Sequence, residues 1–313
     1  MVHICVFAAT QRGLIFLRKL HSILPDARLT VVSFKEEDHE PPFLEDIRSF
    51  SGKIGATFFA ARNVALERYS SLWESLSIID LMFCVSWRYL IPPSIYERAR
   101  IGTFVFHDSM LPKYRGFAPS VWSIVNGESH TGASLILISE GIDEGDIVDQ
   151  ESVKIDTKDN IADVLEKVTK TYLTILERNI AKLLSNKFSL KPQNHNMASY
   201  TVKRTTLDYK LDWMQPAKVC YDLIRGCTRP YPGAYTFFNG MKLVIFKANL
   251  SDSRVYEVLA PGRVTSKAKN GISVLCGDKR ALFLEEFELE TKSGEIATFE
   301  KILGEIQLST TFT

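Results

Sequence analysis

The chain has 313 residues, 45% of them hydrophobic and 24% charged, with a formal net charge of +1. That length can bury a large core and accommodate two domains, and the near-neutral balance excludes a global field that would recruit nucleic acid or anionic lipid. No apolar run reaches the length of a membrane span, and "MVHICVFAAT" lacks the basic start and cleavage site of a signal peptide. The five cysteines, odd in number and scattered, suit buried free thiols in a reducing cytoplasm.

The predicted elements open with a buried strand, "HICVFAA", and a helical period through "LIFLRKLHSIL". "ARLTVVSF", "IIDLMFCVSW", "GTFVFHD" and "TGASLILIS" read as further strands. Near-continuous apolar runs suit a parallel sheet covered on both faces, with crossover helices between strands. The expected fold class is therefore α/β, an open, mostly parallel, Rossmann-like sheet that takes ligands beyond the carboxyl ends of its strands. The single glycine of "AATQRGLIF" supports no dinucleotide fingerprint, and no Walker loop occurs.

Asn160 to Leu184 carries a helical period with an acidic start and a basic later half. "SNKFSLKPQNHNMASYTVKRT" is polar and irregular and reads as a linker. Pro216 suits the first turn of a helix over "PAKVCYDLIRGC". Beyond it the pattern turns to β, with a hairpin signal at Asn239-Gly240 and turns at Asn270-Gly271 and Gly277-Asp278. The expected organisation is a first domain over 1–190, a linker over 191–205 and a smaller β-rich, OB-like domain over 206–313.

His107 ends the strand-like run of "GTFVFHD", and the polar, proline-containing loop "SMLPKYRGFAP" follows. "EGIDEGDIV" lies after the next apolar strand, with Asp143 between Gly141 and Gly145. On neighbouring strands of one parallel sheet, His107 and Asp143 reach the same carboxyl edge. A carboxylate beside an imidazole orients the ring and suits general acid–base work. By spacing alone, a structural histidine is an equal reading.

The stretch "GTFVFHDSMLPKYRGFAPSVWSIVNGESHTGASLILISEGIDEGDIVDQ" resembles the catalytic segment of the folate-dependent formyltransferases, and most resembles the sugar N-formyltransferases. The likeness extends back to "DLMFCVSWRYLI" and forward to "YTVKRTTLDYKLDWMQPA" and "RPYPGAYTFFNG". It implies transfer of a formyl group from N10-formyltetrahydrofolate to an amine, without a metal. It implies an Asn-His-Asp set in which His107 and Asp143 hold the last two positions. Val105 stands where the family has its Asn, a donor to the developing oxyanion, and loss of such a donor typically costs about 10²–10³ in rate. Either another donor serves (a backbone N–H, Ser109 or water, with His107 protonated), or the enzyme is slower, or the chain is an inactive binding relative. Ser109 is a secondary catalytic candidate whose plainer role is to stabilise its loop.

By the same resemblance the folate pocket forms from Trp87, Arg88, Tyr89, Leu90 and Ile91 and from Ser139, Glu140, Gly141, Ile142 and Asp143. Phe117 stands where some relatives carry Arg. Core packing is the competing role for Trp87 and Tyr89. A nucleotide-linked amino sugar is the preferred acceptor, with Lys113, Tyr114 and Arg115 facing a diphosphate, or forming a solvated basic loop. Tyr231 and Tyr235 either line the sugar-nucleotide cleft or belong to a packed turn. Methionyl-tRNA is disfavoured, because the basic insertion of that enzyme is replaced here by the acidic "FKEEDHEPPFLEDIR". Formyl transfer to a hydroxyornithine-type amine, folate-dependent hydrolysis and non-catalytic binding are weaker readings of the same motifs. A cytoplasmic enzyme bound to neither membrane nor nucleic acid is the expectation; many sugar formyltransferases that it resembles are dimers, so a homodimer is one of the oligomeric states the sequence leaves open.

Overall fold

The computed structural model describes residues 1–37, 40–62, 69–76, 78–250, 254–290, 296–297, 299–308 and 310–313. Asp38 and His39 of the acidic segment lie outside the described residues. The chain forms two compact units. The first holds Met1–Pro119, His130–Lys154 and Glu166–Val202, and the second Ser120–Ser129, Ile155–Leu165 and Lys203–Thr313.

In chain order the elements up to residue 202 are β1 (His3–Ala8), α1 (Thr10–Ile23), β2 (Arg28–Ser33), α2 (Leu44–Lys53), β3 (Thr57–Ala60), α3 (Ser70–Ser75), β4 (Ile79–Val85) and α4 (Pro93–Tyr96). They continue with β5 (Ala99–His107), β6 (Arg115–Gly116), α5 (Pro119–Val125), β7 (His130–Leu137), β8 (Ile147–Lys154), α6 (Ile161–Leu184) and β9 (Tyr200–Thr201). Seven strands form one sheet in the order β3-β2-β1-β4-β5-β7-β8. The first four junctions are parallel. Every residue of β1 is buried, as a central strand covered on both faces requires.

The strand that precedes Asp143 runs against the expected direction. β7 is antiparallel to β5, with Phe104 opposite Leu137 and His107 opposite Ser134, and β8 is antiparallel to β7. The carboxyl end of β7 therefore lies beside the middle of β5 and not beside His107. The apolar pattern identifies a strand but carries no information about its direction.

Alternation along β5 sorts its side chains. Phe106 packs on Phe16 at 5.1 Å and Tyr172 at 4.8 Å, and Phe104 on Phe188 at 5.5 Å. Val105 and His107 share the other face, where Val105 packs against Leu111, Ile136 and Ile147. Each fully buried Phe contributes about 1.5–3 kcal/mol relative to exposure, so β5 cannot slip by one residue and exchange its faces.

The second unit contains α7 (Ala217–Cys227), β10 (Ala234–Phe238), β11 (Met241–Leu250), β12 (Val264–Ala268), β13 (Gly271–Leu275), β14 (Ala281–Glu290), β15 (Ile296–Ala297) and α8 (Phe299–Glu305). Its antiparallel sheet runs β10-β11-β14-β13-β12, with β15 on β14. The β10–β11 hairpin turns at Asn239 and Gly240, both at positive φ (50° and 73°), the conformation that Asn-Gly accepts readily. Trp213, Ile224, Leu243, Leu282 and Phe312 are among its core residues.

Candidate active site

His107 closes β5 and is almost enclosed, with its side chain 8% exposed. Its Nε2 lies 2.8 Å from the carbonyl oxygen of Tyr114. A carbonyl only accepts, so this nitrogen carries a proton and donates it. The other nitrogen, Nδ1, lies 3.4 Å from Oδ2 of Asp143. With Nε2 committed to the backbone, Nδ1 is the ring atom that faces the carboxylate.

Asp143 reaches the histidine through the 138–146 loop, which folds back after β7. The base of this loop is stitched by Ile138 N to Thr103 O (2.8 Å) and Leu137 N to Asp146 O (2.9 Å). Asp143 itself is left-handed, with φ 53°, an uncommon conformation for a non-glycine residue. Gly116 N donates to its Oδ2 at 2.8 Å. Gly116 has φ +100°, and a Cβ there would stand 2.3 Å from the Thr201 carbonyl oxygen. At Gly145 a Cβ would meet the Leu137 carbonyl oxygen at 1.6 Å, so the loop can close only on glycine. Thr10, Ser86, Tyr114 and Ala118 are also left-handed, and Thr10 and Ser86 follow close on β1 and β4. Such strain concentrates where function demands a fixed backbone.

The stretch read as a linker does more than connect. Lys191 bridges Ile147, and β9 pairs in parallel with β6. Gln193, 5% exposed, donates from Nε2 to the carbonyls of Asp143 (2.8 Å) and Gly145 (2.7 Å). No local signal marks this glutamine, because its partners lie 48 and 50 residues away in the chain.

The other residues singled out in the sequence fall into distinct settings. Ser109 is buried, and its hydroxyl donates to Lys113 O at 2.6 Å, so its proton already serves its loop. Lys113 is exposed. Tyr114 offers its carbonyl to His107, and its N–H donates to Ser199 Oγ at 2.9 Å. Arg115 is fully buried and bonds to Gln193, Glu144 and Tyr200, so its guanidinium is not presented to solvent. Arg88 pairs in a two-point contact with Glu40, at 2.8 and 2.7 Å, and lies over Phe34. Tyr231 and Tyr235 belong to the second unit, where Tyr235 is buried beside Phe237.

Trp87 packs edge-on against Phe7 and Phe34, and Tyr89 against Phe34. Ile91 and Val105 join the same apolar cluster. The indole N–H of Trp87 is buried and has no hydrogen-bond partner among the described residues. Leu90, Phe117 and Ile142 are exposed at 82%, 41% and 56%. Phe117 and Ile142 flank the two residues, Gly116 and Asp143, whose hydrogen bond supports the pair. Ser139, Glu140 and Gly141 complete the outer loop, with Glu140 exposed. Apolar side chains and an unused donor fit a flat, largely apolar heterocycle with polar edges. Among the described residues, no group of three or more His, Cys, Asp or Glu is placed to hold a metal ion.

Residues 32–180 match the formyl transferase family, and residues 203–300 match the formyl transferase C-terminal domain. The chain is 33% identical over 213 residues to the methionyl-tRNA formyltransferase of Alkaliphilus oremlandii (strain OhILAs), covering 68% of this chain and 67% of that one. It is 30% identical over 248 residues to the bifunctional polymyxin resistance protein ArnA of Wigglesworthia glossinidia brevipalpis. That alignment covers 79% of this chain but spans only 38% of the relative. Among solved structures, the N-formyltransferase from Helicobacter canadensis in complex with folinic acid and dTDP-3-aminofucose superposes with a TM-score of 0.68 at 18% identity, covering 91% of this chain and 99% of that one. At that identity the likeness concerns the fold.

Proposed function

The chain belongs to the formyl transferase family, and on that premise we propose that it carries a formyl group from N10-formyltetrahydrofolate to the amine of a nucleotide-linked amino sugar. The observation that carries the reading is the His107–Asp143 pair, 3.4 Å apart, with the far ring nitrogen fixed on Tyr114 O. The formyl donor supplies an activated carbonyl carbon. The protein's part is to orient the amine and move its proton. His107 Nδ1 takes that proton and returns one to the departing nitrogen, while Asp143 stabilises the charged ring between the two events. Loops 86–91 and 138–146 hold the donor, with Leu90, Phe117 and Ile142 against its rings. Val105 offers no donor to the formyl oxygen, and Ser109 is committed elsewhere. Water or a backbone N–H fills that role.

The acceptor class rests on charge and on relatives. The segment after β2, "FKEEDHEPPFLEDIR", holds more acidic than basic residues, and its Glu37 and Glu40 pair with Arg62 and Arg88, so it offers phosphate-rich tRNA no basic contact surface. The Helicobacter canadensis enzyme of the same fold is crystallised with a dTDP-amino sugar. The tRNA reading keeps one specific support, the 33% identity to a methionyl-tRNA formyltransferase. Incubation with N10-formyltetrahydrofolate and, separately, nucleotide-linked amino sugars, methionyl-tRNA, hydroxyornithine or no acceptor decides among the readings. Tetrahydrofolate release only with a sugar nucleotide is expected. Release with tRNA transfers the assignment, and release without any acceptor makes the protein a hydrolase.

A further inference from the structure

The proposed chemistry requires Asp143 to stand at one place against His107, yet the aspartate sits on a loop in a strained, left-handed conformation. Among the described residues its carboxylate has a single backbone donor, Gly116 N. The backbone of the loop is held from elsewhere. Gln193 Nε2 donates to two carbonyls of the loop, Asp143 O at 2.8 Å and Gly145 O at 2.7 Å. Gln193 Oε1 accepts from Arg115 Nε at 3.2 Å and Nη2 at 2.8 Å. Both donors and both acceptor directions of the amide are thus used, which fixes its orientation without ambiguity. Arg115 also reaches Glu144 Oε1 and the Tyr200 hydroxyl, each at 3.1 Å. The same arginine immediately precedes Gly116, so one side chain and its neighbouring amide grip the loop from two sides.

We propose that Gln193, braced by Arg115, is a positioning residue that sets the Asp143 carboxylate against His107. The inference rests on the functional reading above for its kinetic consequence, but its structural content is independent of any substrate. A fully satisfied buried amide that touches the loop only through carbonyls has no ligand-facing atom to spare. Its effect on turnover runs through Asp143. Charge-assisted bonds from Arg115 make the clamp stronger than a neutral pair.

The test uses Gln193→Ala and Gln193→Glu in the full-length chain. Gln193→Glu keeps the size and the Arg115 pairing but turns the edge that meets Asp143 O and Gly145 O from donor to acceptor, and it serves where the alanine variant does not fold. Both are expected to lower kcat by about tenfold or more, with KM for donor and acceptor changed little. In an Asp143→Asn background the same changes are expected to add nothing further. Independently of turnover, the Gly116 amide, which donates to Asp143 Oδ2, is expected to exchange with solvent about tenfold faster, while amides of β1 and β4 keep wild-type protection. Losses that multiply in the Asp143→Asn background, or folded variants with wild-type Gly116 exchange, overturn the inference. A wild-type protein that formylates no acceptor defeats the functional reading instead, and Gly116 exchange then decides the positioning role alone.

Discussion

His107 and Asp108 are adjacent in the chain and serve opposite ends. Asp108 Oδ1 takes Arg12 Nη1 at 2.5 Å and the hydroxyl of Tyr172, while Arg12 also lies over the Tyr172 ring. Thr131 donates to its carbonyl, and Arg12 Nε donates to Thr169. His107 meets Asp143, whose Oδ2 has Gly116 N and the imidazole, and whose Oδ1 takes no hydrogen bond from the described residues. The two carboxylates are equally exposed, 17% each, so burial does not separate them. Partner chemistry does. Asp108 faces a permanent cation and a phenol, and Asp143 faces a ring that can gain or lose its charge. Under the proposed function, the second pair is the one that handles the proton of the amine.

The largest effect that tests this contrast is on turnover. His107→Ala is expected to lower kcat by about 10²–10⁴ while the thermal midpoint stays near wild type. Asp143→Asn keeps an acceptor for Gly116 N but removes the charge, and a smaller loss of about tenfold or more is expected. Formylation rates and thermal melts on the same preparations check both. A His107→Ala variant that retains more than a tenth of the wild-type rate breaks the assignment.

Asp108→Asn is expected to act on stability instead. Burial alone raises a carboxyl pKa, but here the Arg12 charge and the hydrogen bonds from Arg12 and Tyr172 outweigh it and hold Asp108 below the usual range. Tyr172 is pushed up, by burial first and the neighbouring carboxylate second. A depressed carboxyl stabilises the fold above its unfolded pKa of about 3.9, and that contribution disappears as pH falls through the lower folded value. At pH 7 the Asn variant is expected to lose about 2–3 kcal/mol, read from denaturant melts, with kcat of the folded protein within a few-fold of wild type. The gap from wild type is expected to shrink as the pH drops below about 4. A gap that stays constant down to about pH 2 assigns the loss to packing and not to charge.

The same contrast explains what was legible in the sequence. β1, β2, β4 and β5 are written as apolar runs, and the break at His107-Asp108 marks the strand end. The Asn239-Gly240 hairpin is equally plain, because the turn demands two positive φ values. What stayed hidden is long-range and polar. The antiparallel direction of β7 leaves no periodic trace. Arg12 meets Asp108 across 96 residues, and Gln193 meets Asp143 across 50. A buried glutamine inside "KPQNHNM" looks like any residue of a polar connector until its carbonyl partners are in place. Arg115 reads either as a diphosphate contact or as part of a solvated basic loop, whereas its guanidinium is fully enclosed.

The smallest expected change concerns Val105, which shares the face of β5 with His107. Two effects oppose each other in Val105→Asn. An amide at 105 stands two residues from the imidazole and supplies the donor that the family pattern places there, which favours the transition state. The same amide replaces an apolar side chain packed against Leu111, Ile136 and Ile147, and any amide hydrogen left without a partner costs about 1–3 kcal/mol. The variant is therefore expected to melt at a lower temperature while its kcat stays level or rises. A marked fall in kcat, with His107 and Asp143 intact and the protein folded, means that the valine leaves room for a water or backbone donor which the asparagine displaces. In that event the contrast drawn from His107 and Asp108 extends to Val105, an apolar residue whose value to the site lies in the space it leaves.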